Sequence, residues 1–111
     1  MNRPSPTAVE RVDHGHRYDL LVGAEHAGRT EYRDRGVQRV FHHTEVDAAF
    51  AGQGLAPLLV GEALADVRRS GMRIVPVCPY VAAYLERHRE FDDITDPVTP
   101  EVLRWLDAEL A

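Results

Sequence analysis

Residues 50–71 read FAGQGLAPLLVGEALADVRRSG, and this stretch decides the fold. From Leu55 onwards its apolar residues recur at spacings of three and four, which predicts an α-helix over Leu55–Arg69 with one buried stripe. Pro57 lies in the first turn, where a missing N–H group breaks no intrahelical hydrogen bond, and Gly71 follows the last turn. A glycine loop therefore leads directly into an amphipathic helix.

The residues on either side of this helix have the shorter periodicity of β-strands. Upstream, alternating apolar residues and short turns predict four strands: Ala8–Asp13, His16–Gly23, Arg29–Arg35 and Val37–Val46. We expect a turn at Glu25–Gly28, where Gly28 supplies the positive φ of a hairpin. Downstream, the apolar pattern predicts one strand and two helices: Met72–Cys78, Tyr80–His88 and Glu101–Leu110. Pro76 does not fit a continuous ladder, because proline donates no hydrogen bond.

This order of elements predicts the fold class. A strand, loop, helix and strand in sequence require a right-handed crossover onto a parallel neighbour. We therefore expect an α/β (α+β) fold with a mixed, mostly antiparallel sheet, in which Val37–Val46 and Met72–Cys78 are parallel and diverge at their C-terminal ends. With 111 residues the chain is expected to form one domain, with residues 1–7 as a flexible arm and 99–111 as a C-terminal helix.

Composition and charge exclude several classes of function. All 13 basic residues are arginine, so Schiff-base chemistry on lysine is excluded. Cys78 is the single cysteine, which excludes an internal disulfide. The net charge of −5 is concentrated in residues 90–111, which argues against nucleic acid as a partner, although such a tail is also an ordinary solvated segment. No apolar run suits a membrane span or a signal peptide, so we expect a cytoplasmic protein without membrane partners.

The glycine loop has the composition of a phosphate-binding site. Glycines remove the Cβ atoms that would keep a ligand away, and the free N–H groups of the following helix favour an anion. The GxGxxG fingerprint of dinucleotide-binding proteins is absent, and a P-loop would need a lysine. A tight strand-to-helix turn is the alternative explanation of Gly52 and Gly54.

At this point the chain resembles the GNAT superfamily of acetyl-coenzyme A-dependent N-acetyltransferases. Their hallmark is R/Q-x-x-G-x-G/A, and residues 51–56 read AGQGLA, with Ala51 where the family has Arg or Gln. The chain resembles a minimal single-domain subgroup more closely. The residues that carry this resemblance are His43-Thr44-Glu45-Val46 before the loop and Pro76-Val77-Cys78-Pro79 after the helix. The resemblance extends over about Tyr18–Phe91.

The resemblance implies where acetyl-coenzyme A binds as co-substrate. Backbone amides of the loop would hold its pyrophosphate, and its pantetheine arm would pair with the backbone near Glu45 and Val46, in a slot between the two diverging strands. The cofactor-binding residues expected on this basis are Val46, Gly52, Gln53, Gly54, Leu55 and Ala56. The subgroup lacks the two helices that build the acceptor pocket in larger relatives, so the resemblance implies no particular acceptor.

Acetyl transfer to an amine needs a base, and His43 with Glu45 is our candidate pair. Period-two geometry predicts that Phe41, His43 and Glu45 share one face of their strand, with His42 and Thr44 on the other. A carboxylate beside an imidazole suits a general base near neutral pH. Alternatively, both side chains simply point into water, which is the interpretation that we adopt for His42.

Cys78 and two tyrosines are the remaining catalytic candidates. Cys78 ends the strand that borders the expected slot, so it could accept the acetyl group as a thiolate assisted by His43, or it could be an inert core residue. Tyr84, and less favourably Tyr80, could protonate the departing thiolate; either could equally be a packed aromatic.

The histidines do not have metal-ligand spacing, so we expect no metal site and interpret His14 and His16 as turn residues. The predicted function is N-acetylation of a small-molecule or protein amine by a monomer or homodimer. A non-catalytic coenzyme A-binding module is the alternative, and a purely structural dimerisation domain is a third possibility.

Overall fold

The computed structural model describes residues 6–111. Its strands and helices, in chain order, are β1 Thr7–Val12, β2 Arg17–Val22, β3 Glu25–Arg35, β4 Gln38–Val46, α1 Leu55–Arg69, β5 Arg73–Pro76, α2 Pro79–Arg87 and α3 Pro100–Leu110. Short 3-10 helices precede β2, precede the glycine loop and follow α2. Of the arm that we expected at residues 1–7, residues 1–5 lie outside the described part, and Thr7 already belongs to β1.

The five strands form one sheet in the order β1-β2-β3-β4-β5. The first four pair antiparallel, and β4 pairs parallel with β5 across the α1 crossover. The predicted mixed, mostly antiparallel α+β fold is therefore confirmed. The predicted parallel pair is also correct, and it diverges as expected: the pairing ends at Phe41 and Pro76, although β4 continues to Val46.

The boundary between β2 and β3 differs from the prediction. The turn between β2 and β3 lies at Gly23 and Ala24 rather than at Glu25–Gly28, so Glu25 already begins β3. Gly28 instead lies within β3, where an added Cβ would stand 2.6 Å from the carbonyl oxygen of Glu45. Its small size is required because two backbones approach closely, and the sequence signal of a turn was misleading.

Helices cover both faces of the sheet. On one face, α1 and α2 pack over aromatic and aliphatic residues of β2, β3 and β4, including Tyr18, Tyr32 and Phe41. On the other face, α3 packs Val102 and Leu106 against Val40 of β4 and Val75 of β5. The ladder between β4 and β5 is thus held between two apolar layers, which fixes the point at which these strands separate. No helix among the described residues is long and apolar enough to cross a membrane.

A buried ionic network fixes the first half of β4. Arg39, only 5% exposed, donates from Nε and Nη2 to the carboxylate of Asp34 and from Nη1 to the Tyr18 hydroxyl. The Tyr18 hydroxyl in turn donates to Asp66 of α1 at 2.7 Å. Each polar group of this network therefore has a partner, and β4 is tied to β2 and α1 before it reaches the open end of the sheet.

Candidate active site

A gap opens where β4 and β5 separate. The last backbone hydrogen bond across it runs from the Cys78 amide to the Phe41 carbonyl, at 2.7 Å. Beyond it, the five residues His42–Val46 of β4 have no β5 partner. The chain turns away because β5 ends at Pro76 and Cys78 is already the N-cap residue of α2. Cys78 was expected to end the strand, so its place at the head of a helix is a correction.

A β-bulge at His42 changes which side chains share a face. Tyr32 lies opposite Phe41, whereas its neighbour Glu31 lies opposite His43, so His42 is the extra residue of β4. Phe41 faces the core under α1, and Thr44 reaches Cys78 in that same core. The prediction that Phe41 shares a face with His43 was therefore wrong, because the inserted residue reverses the alternation.

Cys78 is connected to two threonine hydroxyls. Its thiol, 4% exposed, donates to Thr44 Oγ1 at 3.4 Å. Thr44 Oγ1 lies 2.9 Å from Thr30 Oγ1, and Thr30 donates to the carbonyl of His43 at 3.3 Å. Since the single proton of Thr30 is used on that carbonyl, Thr44 donates to Thr30 and accepts from the thiol. The result is a directed chain of hydrogen bonds that starts at the cysteine and runs under the open part of β4.

His43 and Glu45 do come together, on the exposed face of β4. His43 Nε2 lies 3.6 Å from Glu45 Oε2, and both side chains are close to half exposed. Glu45 also pairs with Arg29 of β3, whose Nε contacts Glu31 at 3.1 Å. The carboxylate of Glu45 is thus shared between a guanidinium and an imidazole, in a position open to solvent.

His42 is more buried than we expected for a side chain that points into water. Its Nε2 atom is inaccessible and has no hydrogen-bond partner among the described residues. Burial lowers the pKa of this imidazole, with Arg33 and His43 acting in the same direction and Glu31 opposing them. The neutral ring is therefore favoured in the folded protein.

The glycine loop brings an uncapped helix N-terminus to the same end of β4. Gly52 and Gly54 have φ values of 78° and 71°, and nothing lies within 4 Å of a Cβ built on either residue. Gly54 is the N-cap of α1, where no side chain accepts a hydrogen bond and no acidic residue occupies the first turn. The free N–H groups and the positive end of the helix dipole are therefore available to an anion. The left-handed φ values also explain why a turn here requires glycine.

The two tyrosines lie on α2. The Tyr84 hydroxyl packs against Gly61 of α1, where an added Cβ would stand 2.6 Å from it. No contact joins Tyr84 to Cys78, Thr44, His43 or Glu45 among the described hydrogen bonds and ion pairs, so its role as an acid stays a prediction. Tyr80 is 39% exposed in the first turn of α2. Burial raises the pKa of both hydroxyls, so both keep their protons at neutral pH.

Nothing in the sequence indicated that Thr30 and Thr44 belong to the site, although Thr44 lies between the candidate residues His43 and Glu45. The reason is that period-two geometry assigned Thr44 to the face away from the candidate pair, and only the bulge directs it to Cys78. Within residues 6–111, no group of three or more His, Cys, Asp or Glu side chains is arranged to hold a metal ion.

Comparison with known proteins identifies a family whose model matches most of the chain. The family model described as GCN5-related N-acetyl-transferase matches residues 17–94, which is more than two thirds of the chain. No curated protein matches. Among solved structures, the fold is similar to that of a protein described as a GCN5-like N-acetyltransferase from Staphylococcus aureus. The TM-score is 0.62 at 16% identity, over 84% of this chain and 91% of the other.

A weaker similarity is to an aminoglycoside acetyltransferase from an uncultured soil metagenomic sample, in complex with trehalose. Its TM-score is 0.48 at 15% identity, over 71% of this chain and 59% of the other. At 16% identity, the match to the Staphylococcus aureus protein shows a similarity of fold alone. The segment that the family model matches extends from β2 to the 3-10 helix after α2. Helix α3 lies outside this segment.

Proposed function

Because the chain belongs to the GCN5-related N-acetyl-transferase family, we propose that it transfers an acetyl group from acetyl-coenzyme A to the amine of a small molecule or protein. One observation carries this proposal: the uncapped N-terminus of α1 adjoins the unpaired end of β4. The first feature suits a pyrophosphate, and the second suits an extended arm that forms backbone hydrogen bonds.

In the proposed complex, backbone groups do most of the binding. The amides of residues 53–56 donate to the pyrophosphate, and the left-handed glycines leave the space beside them open. The pantetheine arm pairs with β4 near Glu45 and Val46, so that the thioester approaches the point where Cys78 closes the gap. The proposed coenzyme-binding residues are Val46, Gly52, Gln53, Gly54, Leu55 and Ala56.

We assign the nucleophile to Cys78. Its sulfur forms a bond to the acetyl carbon, and the bond from that carbon to the coenzyme A sulfur breaks. The Cys78 thiol loses one proton in this step and the departing coenzyme A thiolate gains one, so no net proton is released. The amine then attacks acetyl-Cys78, forms the amide and releases the cysteine thiol. The burial of Cys78 at the gap between β4 and β5, where we propose that the thioester lies, and its hydrogen bond to Thr44 support this assignment.

The proton transfers are assigned to His43, Glu45 and Tyr84. An amine arriving from solvent meets His43 and Glu45 on the exposed face of β4, where this pair can take up the proton that the amine must lose. The departing coenzyme A thiolate needs an acid, and Tyr84 has a hydroxyl whose pKa is raised by burial and that has no hydrogen-bond partner among the described side chains.

One observation favours a second candidate function, a coenzyme A-binding module without turnover. Ala51 stands at the first position of the loop pattern, and its exposed methyl group offers no hydrogen bond to a phosphate. Weaker anchoring of the coenzyme would be tolerated more readily by a sensor of acyl-coenzyme A than by an enzyme.

Product analysis separates these two functions. The protein is incubated with acetyl-coenzyme A and a panel of primary amines and amine-bearing peptides, and free coenzyme A is measured by chromatography. We expect coenzyme A and an acetylated amine to appear together in equal amounts, in excess over the protein. Binding of acetyl-coenzyme A without amine-dependent release across the panel would support the module and contradict the enzyme.

A further inference from the structure

A cavity of about 380 Å³ lies at the end of the sheet opposite to the gap, and its volume is typical of small-molecule sites. Ser70, which directly follows α1, belongs to its lining, so this 15-residue helix, about 22 Å long, separates the cavity from the glycine loop. Arg39, also in the lining, precedes Thr44 on β4 by about 17 Å at the usual rise of a strand. The cavity is therefore distinct from the candidate active site.

The Tyr32 hydroxyl is a polar group at this cavity that lacks a partner. Tyr32 is 2% exposed and lines the cavity, yet its hydroxyl makes no hydrogen bond within residues 6–111. Two neighbours fix the ring: the Arg39 guanidinium lies 4.2 Å from its centroid, and the His16 ring stands at 83° to it, with centroids 6.3 Å apart. Because an unpartnered buried hydroxyl is costly, a ligand that accepts its proton is bound favourably.

Four charged side chains lie near this hydroxyl, two of each sign. Burial raises the pKa of the Tyr32 hydroxyl, and the positive charge of Arg39 opposes that rise. The negative charges of Asp34 and Asp13 add to it, and Arg11 opposes it. The hydroxyl therefore keeps its proton at neutral pH and can donate. Two arginines and two aspartates together suit a ligand that carries one charge of each sign.

Both kinds of charge have hydrogen-bonding capacity left. Arg11 contacts Asp13 through Nε and Asp66 through Nη1, whereas its Nη2 group donates to no described residue. The side chain of Asp13 is 74% exposed, and only its Oδ1 atom lies against Arg11. Asp34 accepts one hydrogen bond from Arg39 on each oxygen, but its side chain is 40% exposed, so each oxygen can accept another.

We propose that this cavity binds an α-amino acid with an aliphatic side chain. The Tyr32 hydroxyl and Arg11 Nη2 donate to the carboxylate of the ligand, and Asp13 and Asp34 accept from its ammonium group. The aliphatic side chain lies against Met72, a half-buried residue of the cavity wall. Binding uses neither the glycine loop nor the gap, so this site is independent of the proposed acetyl transfer.

The test is a titration of the ¹⁵N-labelled protein with L-leucine in the absence of acetyl-coenzyme A. Saturable shifts at millimolar L-leucine are expected for the amides of Asp13, His16 and Asp34. N-acetyl-L-leucine lacks the ammonium group and L-leucinamide lacks the carboxylate, so each should bind about tenfold more weakly. Equal affinities for the three compounds, or no saturable shifts at millimolar L-leucine, would overturn the inference.

Two variants test the contacts. Tyr32→Phe keeps the ring in the core and removes a hydroxyl that has no described partner to lose, so the melting temperature should not fall while L-leucine binds about tenfold more weakly. Asp13→Asn removes one negative charge and should weaken binding about fivefold. Asp107→Asn is the matched control for it, because Asp107 is an exposed carboxylate of α3, and this variant should bind like wild type.

The outcomes separate this inference from the proposed function. Wild-type affinity for L-leucine in Tyr32→Phe would contradict the site at the far end of the sheet and leave acetyl transfer untouched. Shifts centred on Glu45, Val46 and Cys78 would place L-leucine in the gap, as an acceptor amine, and would likewise overturn the inference.

Discussion

The thiol of Cys78 and the hydroxyl of Thr44 lie 3.4 Å apart across the gap where β4 and β5 separate. One residue heads α2 and the other belongs to β4, so the hydrogen bond joins the two sides of the gap just below its opening. Thr44 currently accepts from the thiol. When Cys78 loses its proton, Thr30 can turn from the His43 carbonyl to Thr44, and Thr44 can then donate to the sulfur.

Thr44→Val should therefore slow acetylation of Cys78. The substitution keeps the shape of the side chain but removes the donor, and loss of a hydrogen bond to a charged sulfur should lower the rate about tenfold. Thr44→Ser retains the hydroxyl and should keep the wild-type rate. Intact-mass spectrometry after timed incubation with acetyl-coenzyme A measures both. Equal rates in the valine and serine variants would show that the hydroxyl has only a packing role.

Cys78→Ala should gain no acetyl group under the same conditions and should lose transfer to amines. The buried CH2–SH side chain is shortened to a methyl group, so the expected loss of stability is modest, about 1 kcal/mol. Circular dichroism melting curves check that the variant is folded. If the alanine variant still acetylates an amine at the wild-type rate, the amine attacks the thioester directly and His43 with Glu45 carry the transfer.

Gly54→Val should abolish acetyl-coenzyme A binding by placing a branched side chain beside the helix amides. The positive φ of Gly54 also adds backbone strain, at about 1–2 kcal/mol for a non-glycine residue. Gly36→Val is the matched control, because Gly36 has a φ of 59°, open space around it and a position in the β3–β4 turn. Calorimetry should show binding in the control and none in Gly54→Val. Similar affinities in the two variants would exclude the loop as the anion site.

His42 makes stability depend on pH. Its pKa is lowered by burial, so between the folded value and the unfolded value of 6.5 the unfolded chain binds more protons. Stability should therefore fall as the pH drops below about 6.5 and level off once the folded imidazole is also protonated. Urea unfolding at pH 7.5 and 5.5 should show a smaller decrease for His42→Asn than for wild type. Identical decreases would contradict a neutral, buried His42.

Much of the fold could be predicted from the sequence, because the spacing of the apolar residues indicates which side chains are buried in a helix or a strand. The helix Leu55–Arg69 was predicted with its observed ends, since a proline, a glycine and an apolar stripe agree there. The parallel pairing followed from the strand–helix–strand order. The glycine loop could be located because it lies between a strand pattern and a helix pattern, whereas the left-handed φ values of Gly52 and Gly54 were seen only in the structure.

The details of the site could not be predicted, since they depend on one inserted residue. The bulge at His42 leaves no mark in hydrophobic periodicity, yet it decides that Thr44 rather than His43 meets Cys78. Likewise, Gly28 has the sequence signal of a turn, and only the approach of another backbone reveals its role. The contact of Tyr84 with Gly61 depends on how two helices pack, which no local pattern specifies.

We propose that acetyl-coenzyme A binds along the open end of β4 and at the N-terminus of α1. Titration of the ¹⁵N-labelled protein with acetyl-coenzyme A, followed by amide chemical shifts, tests it most directly. We expect the largest shifts at the amides of residues 52–56, Glu45, Val46 and Cys78, and the smallest along α3, which packs on the other face of the sheet. Shifts confined to α3 or to β1, or no shifts at millimolar acetyl-coenzyme A, would contradict it.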